Sequence, residues 1–294
     1  MTMLGKQLAS AAQECRQLDA DRWDLALTNG RALAVSARRD DGFLLLDADT
    51  GVCPAAERLV PLVGRAHELP AAVKFALRGP ATLRLRAEFP LPETDSETGD
   101  RIREQLEGMR SALHRLHDWV SCEAAGEGAA CPEPRGAGQA NPGGLAELLK
   151  EAGWEYHERP GGALLADLET GGRFLQAEVE PRGAGARFRV TLCRVDGAAA
   201  GGAAQQALCL YLLEANAALR YARAFLQTEG EGISAGFEVR VESGPSAAEA
   251  GHALAALSVA GRRCAGEMEV LRDGAAAGIY RSARPPWNHP SKGA

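Results

Sequence analysis

The sequence predicts an α+β protein of two tandem units, each reading α-β-β-β-α-β-β-α and each a twisted antiparallel sheet flanked by helices, together forming a pseudo-dimer. Three observations carry this. The same order of helical and strand periodicities occurs twice, in residues 2–122 and again in 142–272. Strand segments alternate apolar and polar residues, as a sheet with one covered face requires. Residues 123–141, rich in Gly, Ala and Pro without an apolar period, separate the copies as a linker. The segments that align best are Gly30-Arg31-Ala32-Leu33 with Gly172-Arg173-Phe174-Leu175, and Ala72–Leu77 with Ala218–Arg223.

In the first unit (1–122), Leu4, Leu8, Ala11, Ala12 and Cys15 form a helical stripe that predicts a helix from about Thr2 to Leu18. Three strands follow near Trp23–Leu27, Arg31–Arg38 and Phe43–Asp47. Asn29-Gly30 and Asp41-Gly42 are the hairpin turns, because both positions of such a turn tolerate positive φ. Pro54 opens a short helix to about Ala66, bent at Pro61, and strands follow near Ala72–Leu77 and Thr82–Phe89. In the last of these Leu83, Leu85, Ala87 and Phe89 alternate with Thr82, Arg84, Arg86 and Glu88, one covered face and one wet face. The long helix from about Glu97 to Cys122 carries Ile102, Leu106, Met109, Leu113, Leu116 and Val120 for packing on that sheet.

The second unit (142–272) opens with Leu145, Leu148 and Leu149 on a helix. Strands follow near Trp154–Glu158, Ala163–Leu168, Phe174–Glu180 and Arg187–Arg194. Gly201-Gly202 leads into a helix over 203–218. Strands near Arg220–Gln227 and Ile233–Glu242 are joined by the Glu229-Gly230-Glu231-Gly232 turn. Ser246 and Glu249 form a capping box for a helix to about Leu271. Residues 273–294, with Pro285-Pro286 and Pro290, read as a mobile tail.

Composition narrows the function classes. Among 294 residues, 46% are hydrophobic and 24% charged, as in globular domains with ordinary cores. The net charge of −6 is spread over both halves, so neither is a polyanion-binding module and no nucleic-acid partner is expected. No stretch approaches the ~20 apolar residues of a membrane span, so no membrane partner is expected either. No signal-peptide pattern opens the chain, and the expected location is cytoplasmic. Seven cysteines include no C-x-x-C pair, which fits a reducing compartment. Cys193 and Cys209, within apolar runs, are expected to pack as small hydrophobes.

Leu212-Leu213-Glu214-Ala215-Asn216, then Leu219-Arg220-Tyr221, the acidic Gly turn, Phe237-Glu238-Val239 and a long closing helix resemble the type III secretion chaperone-like fold, which includes class I effector chaperones and YbjN-like regulators. The resemblance covers most of 142–272 and, more weakly, 2–122, where His67-Glu68-Leu69 replaces the Leu-Leu-x-x-Asn segment. It implies a helix-flanked sheet that dimerises and binds an extended segment of a client, with no catalytic residue. Fusing two units in one chain implies a monomer acting as an internal pseudo-dimer.

Candidate partner-binding residues are Arg84, Arg86, Asn216, Phe237, Val239 and Arg240. The arginines, with Arg187 and Arg189, form either a basic patch for acidic clients or a sheet face neutralised by Glu88, Glu238 and Glu242. Asn216 either contacts a client or caps its helix. The alternative is a small-molecule-binding or metal-dependent enzyme domain on the helix face of His114, Asp118 and Cys122, beside His117 and Cys131. No cofactor is called for, since the Gly pairs lack P-loop or dinucleotide spacing and no G-x-S-x-G elbow exists. The leading expectation is a non-enzymatic module binding a protein client or regulatory partner.

Overall fold

Asp41 and Gly42 both adopt positive φ, 51° and 76°, so β3 (Leu33–Asp40) and β4 (Phe43–Asp49) close through a two-residue turn with Asp40 opposite Phe43. The computed structural model in which this turn is seen describes residues 2–27, 32–53, 59–70, 72–78, 82–91, 94–122, 142–160, 162–195, 202–229, 232–242 and 244–284. The Asn29-Gly30 turn and the linker lie outside these residues.

The chain divides into two units, Met1–Pro54 with Glu68–Pro132, and Ala55–His67 with Glu133–Ala294. The first contains α1 (Met3–Ala11), β1 (Glu14–Asp19), β2 (Arg22–Leu27), β3, β4, β5 (Val73–Arg78), β6 (Thr82–Pro90) and α3 (Asp95–Cys122). Its sheet is antiparallel throughout, in the order β1-β2-β3-β4-β6-β5. The second contains α2 (Leu59–Gly64), α4 (Pro142–Glu151), β7 (Tyr156–Glu158), β8 (Leu164–Glu169), β9 (Phe174–Arg182), β10 (Gly185–Val195), α5 (Ala203–Ala218), β11 (Arg223–Glu229), β12 (Gly232–Val241), α6 (Ala247–Val270) and α7 (Gly274–Ser282). Its sheet runs β7-β8-β9-β10-β12-β11, the order of the first sheet strand for strand. The α+β class and the tandem sheet-helix units are therefore as the sequence predicts.

Four differences are informative. The repeat formula has three strands before the middle helix; four precede it in both copies, and the four of the second copy, β7–β10, are those its own residues predict. In the first unit the extra strand is β1, taken from the expected helix over Thr2–Leu18. That helix stops at Ala11, and Glu14–Asp19 pairs with β2 around a bend in which the Asp21 N–H donates to Asp19 Oδ1 (3.0 Å). The helical stripe ends there because beyond Ala12 it has only Cys15 to offer apolar area for a further turn, and pairing with β2 satisfies the backbone groups that the helix gives up.

The structure also shifts one alignment. Leu33 and Phe174 begin the equivalent strands β3 and β9, but Ala218–Arg223 is the end of α5 and its turn, so the counterpart of β5 is β11. The third difference is α2, expected as the first unit's own middle helix. It packs on α5 and β11 with Leu62 and Val63 buried. The reason lies in α5, whose Ala204, Ala207, Leu208, Cys209, Leu210, Leu212, Leu213 and Ala215 are buried around its circumference. A helix that is apolar all round needs cover on every side. Finally, residues 274–282 of the expected tail are α7, capped by Asp273, whose Oδ1 accepts from the Ala275 and Ala276 N–H groups.

In the first core, Leu83, Leu85, Ala87 and Phe89 are buried with Ile102, Leu106, Met109, Leu113 and Leu116 of α3, which packs on β5 and β6. In the second, α6 crosses β10 and the predicted Ser246–Glu249 capping box is present. Gly261 lets α6 approach closely, since a β-carbon there would stand 2.6 Å from Leu175 Cδ1. Gly236 is tighter still, because its β-carbon would meet the Val190 carbonyl oxygen in the neighbouring strand. Gly236→Ala is therefore expected to destabilise the fold by about 2–3 kcal/mol, the cost of overpacking against an unyielding neighbour, as read by urea denaturation.

Candidate functional site

The site begins with an interruption of the second sheet. β9 and β10 are paired from Arg182↔Gly185 to Ala177↔Val190 and no further. Beyond that point Phe174–Gln176 continues to pair with β8, and Thr191–Val195 continues to pair with β12. A register shift between Thr191 and Cys193, opposite Gly236 and Ala235, marks the divergence, because a bulge adds a residue and bends its strand.

The result is a notch of about 640 Å³ between the two strands, lined by Asp167, Phe174, Leu175, Gln176, Thr191, Leu192, Cys193 and Arg194. Leu175, Leu192 and Cys193 make its apolar part. Asp167 is held in place, accepting from Gln176 Nε2 (3.0 Å) and lying 3.2 Å from His157 Nε2. Burial pushes the Cys193 thiol up to about 11, so it is protonated at neutral pH and is not a nucleophile. Phe174 stands at the rim, 86% exposed. The notch thus combines an apolar base, a polar rim, a strand edge on each side and an exposed aromatic side chain.

Phe174 was missed as a site residue, although a signal existed. In Phe174-Leu175-Gln176-Ala177-Glu178-Val179-Glu180 the apolar phase is Leu175, Ala177 and Val179, and Phe174 is the hydrophobe in the polar phase. The split that gives it a use is a property of pairing.

The residues singled out from sequence lie elsewhere, Arg84 and Arg86 on β6, Phe237, Val239 and Arg240 on β12, and Asn216 on α5. Arg240 sits beside a buried cluster around Glu238, which is 1% exposed. Glu238 lies opposite both Arg189 and Arg223 in register. Arg189 Nη2 donates to its Oε2 (2.9 Å), Arg223 Nε donates to its Oε1 (3.0 Å), and Arg240 Nε lies 2.9 Å from Oε1. Arg189 also donates to Gln227 Oε1 and stacks over Phe225 at 4.2 Å. Burial by itself would raise the Glu238 pKa, but Arg223, Arg240 and Arg189 together overcome it and hold the carboxyl well below the usual range.

The first unit repeats the device. Buried Glu88 accepts from buried Lys74 Nζ (2.8 Å) and lies 2.6 Å from Arg86 Nε, while Arg84 Nε donates to Asp47 Oδ1 (2.5 Å). Burial lowers the Lys74 pKa, with Glu88 opposing that shift. The arginines are thus neutralised by carboxylates, yet the face expected to be wet is buried at Glu88 and Glu238, since charges that satisfy one another can leave water. Phe237 and Val239 are core residues, 0% and 2% exposed. Asn216 is buried, and its Oδ1 accepts from the Ala224 N–H (2.7 Å), tying α5 to β11 across a turn in which Tyr221 has φ 62°. That bond tethers the helix end to the next strand.

His114 and Asp118 are exposed on α3. The Cys122 side chain and Cys131 lie outside the described residues. Among the described residues no group of three or more His, Cys, Asp or Glu is placed to hold a metal ion, and no helix is long and apolar enough to cross a membrane.

Glu238→Gln leaves its arginines buried with less compensation and is expected to cost about 3–5 kcal/mol in urea denaturation at neutral pH. A carboxyl more acidic in the folded than in the unfolded chain contributes its stability above the unfolded value, about 4.3, and loses it as pH falls toward the folded value. Wild-type stability should therefore fall steeply below about pH 5, and the variant should show a shallower acid limb.

Neither a curated protein nor a solved structure matches the chain. Residues 141–269, which carry the notch and the Glu238 cluster and make up less than half of the chain, match the YbjN family, described as "Putative bacterial sensory transduction regulator".

Proposed function

We propose that this chain is a non-enzymatic regulatory module whose second unit captures an extended segment of a partner protein in the β9–β10 notch. The observation that carries this reading is the premature end of the β9–β10 ladder beside an exposed Phe174. Two strand edges face the gap, so an extended segment finds backbone partners there, while Phe174 and the Leu175–Leu192 base provide apolar contact. The match of this unit to a regulator family supports the same direction. The finer reading is a chaperone-like relation to the client, with the chain a monomer in which two units of one topology replace two subunits. Light scattering is expected to return the mass of one chain, 31.0 kDa, and a mass of two chains would remove this part.

The capture itself is tested with peptides selected from a random library on the full-length protein. Phe174→Glu is expected to weaken their binding at least tenfold while leaving stability within about 0.5 kcal/mol, since the side chain is exposed. Bound peptide should also slow hydrogen exchange in 174–176 and 191–195. Peptides that bind Phe174→Glu as well as wild type, without protecting those amides, would overturn the reading.

A further inference from the structure

Helix α7 lies on α5 with little apolar adhesion of its own. Ala277 is its one fully buried side chain, and its largest aliphatic residue, Ile279, is 72% exposed. Its sequence, GAAAGIYRS, includes two glycines, and nine residues fall short of the length at which an isolated helix persists in water. A polar clasp at its C-terminal end fastens it instead. The Tyr280 hydroxyl donates to Glu214 Oε2 (2.7 Å), and Arg284 Nε donates to Glu214 Oε1 (2.8 Å). The Arg284 guanidinium lies 3.4 Å from the Tyr280 ring centroid, and Tyr280 meets Tyr211 edge to face at 6.2 Å. Tyr211 and Glu214, three residues apart, lie on one side of α5, and Arg284, just past the end of α7, folds back so that its Nη1 donates to the Tyr280 carbonyl oxygen (3.0 Å).

We propose that α5 carries a helix-binding groove centred on Tyr211 and Glu214, that α7 is its built-in and exchangeable occupant, and that the partner displacing α7 is an amphipathic helix with an aromatic residue followed four positions later by arginine. The chemistry of the groove specifies this occupant. Glu214 uses both carboxylate oxygens, one for a hydroxyl and one for a guanidinium, and Tyr211 offers a ring edge for an aromatic side chain. Only a small residue fits one turn before the aromatic, where Ala277 is fully buried. A partner helix with larger apolar residues along its remaining face gains contacts that α7 forgoes by turning Ile279 to water. The groove is separate from the notch, which is built from β8, β9 and β10, and its existence does not depend on strand capture.

The test uses the full chain with a protease site inserted between Arg272 and Asp273, so that the protein folds with α7 in place before it is cut. The probe is a fluorescent peptide of residues 273–284. It is expected to bind the cut protein at least tenfold more tightly than the uncut protein. A peptide carrying Tyr280→Ala and Arg284→Ala is expected to lose at least tenfold on the cut protein. In the uncut chain, the same two substitutions should speed hydrogen exchange in α7 to that of a free peptide while β10 and β12 stay protected. Equal binding before and after cutting, equal binding of the two peptides, or unchanged protection of α7 would each overturn the proposal.

Discussion

The second unit is organised around one carboxylate. Glu238 lies at the middle of the β11-β12-β10 arrangement and is bound from both neighbouring strands and from its own, by Arg223, Arg189 and Arg240. Side chains alternate along a strand, so a slip of one residue would turn Glu238 onto the apolar face that holds Phe237 and Val239. A buried charge without partners costs several kcal/mol, which makes such a register far less stable than the native one. The cluster therefore selects among pairings even if its net contribution to stability is modest. The notch follows from that register. With Arg189 held opposite Glu238, the bulge between Thr191 and Cys193 falls opposite Gly236 and Ala235, and β10 departs from β9 immediately after Val190.

The first unit uses the same principle with different residues. Glu88 also sits on the penultimate strand of its sheet and is also bound by a cation from the edge strand, Lys74 in place of an arginine. A single-point ammonium and a forked guanidinium are not equivalent, and the second unit places three arginines around one glutamate. The units share a topology and a buried ion pair, whereas the split ladder with its exposed aromatic belongs to the second.

Around that sheet, α5 acts as the point of attachment. Its buried residues are spread around its circumference, and two short helices help to cover it, α2 from far upstream and α7 from downstream. α2 contributes buried Leu62 and Val63, while α7 holds on through Tyr280 and Arg284. Cover of the first kind is a core contact and resists removal. Cover of the second kind depends on a few directional bonds to Glu214, which other donors can replace.

Periodicity, turn chemistry and capping were enough to determine the α+β class, the two tandem sheet-helix units, the α3 stripe, the Asp41-Gly42 hairpin and the Ser246–Glu249 cap, because each depends on residues within a few positions of one another. Even the buried character of α5 can be read from Leu208 through Leu213. The burial of Glu88 and Glu238 cannot, since an alternating strand looks the same whether its charges face water or face one another. β1 was lost to a helical stripe for a related reason: a weak local pattern yields to a ladder whose other half lies beyond the window that the pattern spans. The placement of α2 and the docking of α7 required knowing which surface lacked cover. Phe174 was visible as a hydrophobe in the polar phase of β9, but its meaning came from the divergence of β9 and β10 after Ala177 and Val190. Local chemistry decided the elements, and long-range pairing decided where the sheet opens, because an edge exists only where a partner strand ends.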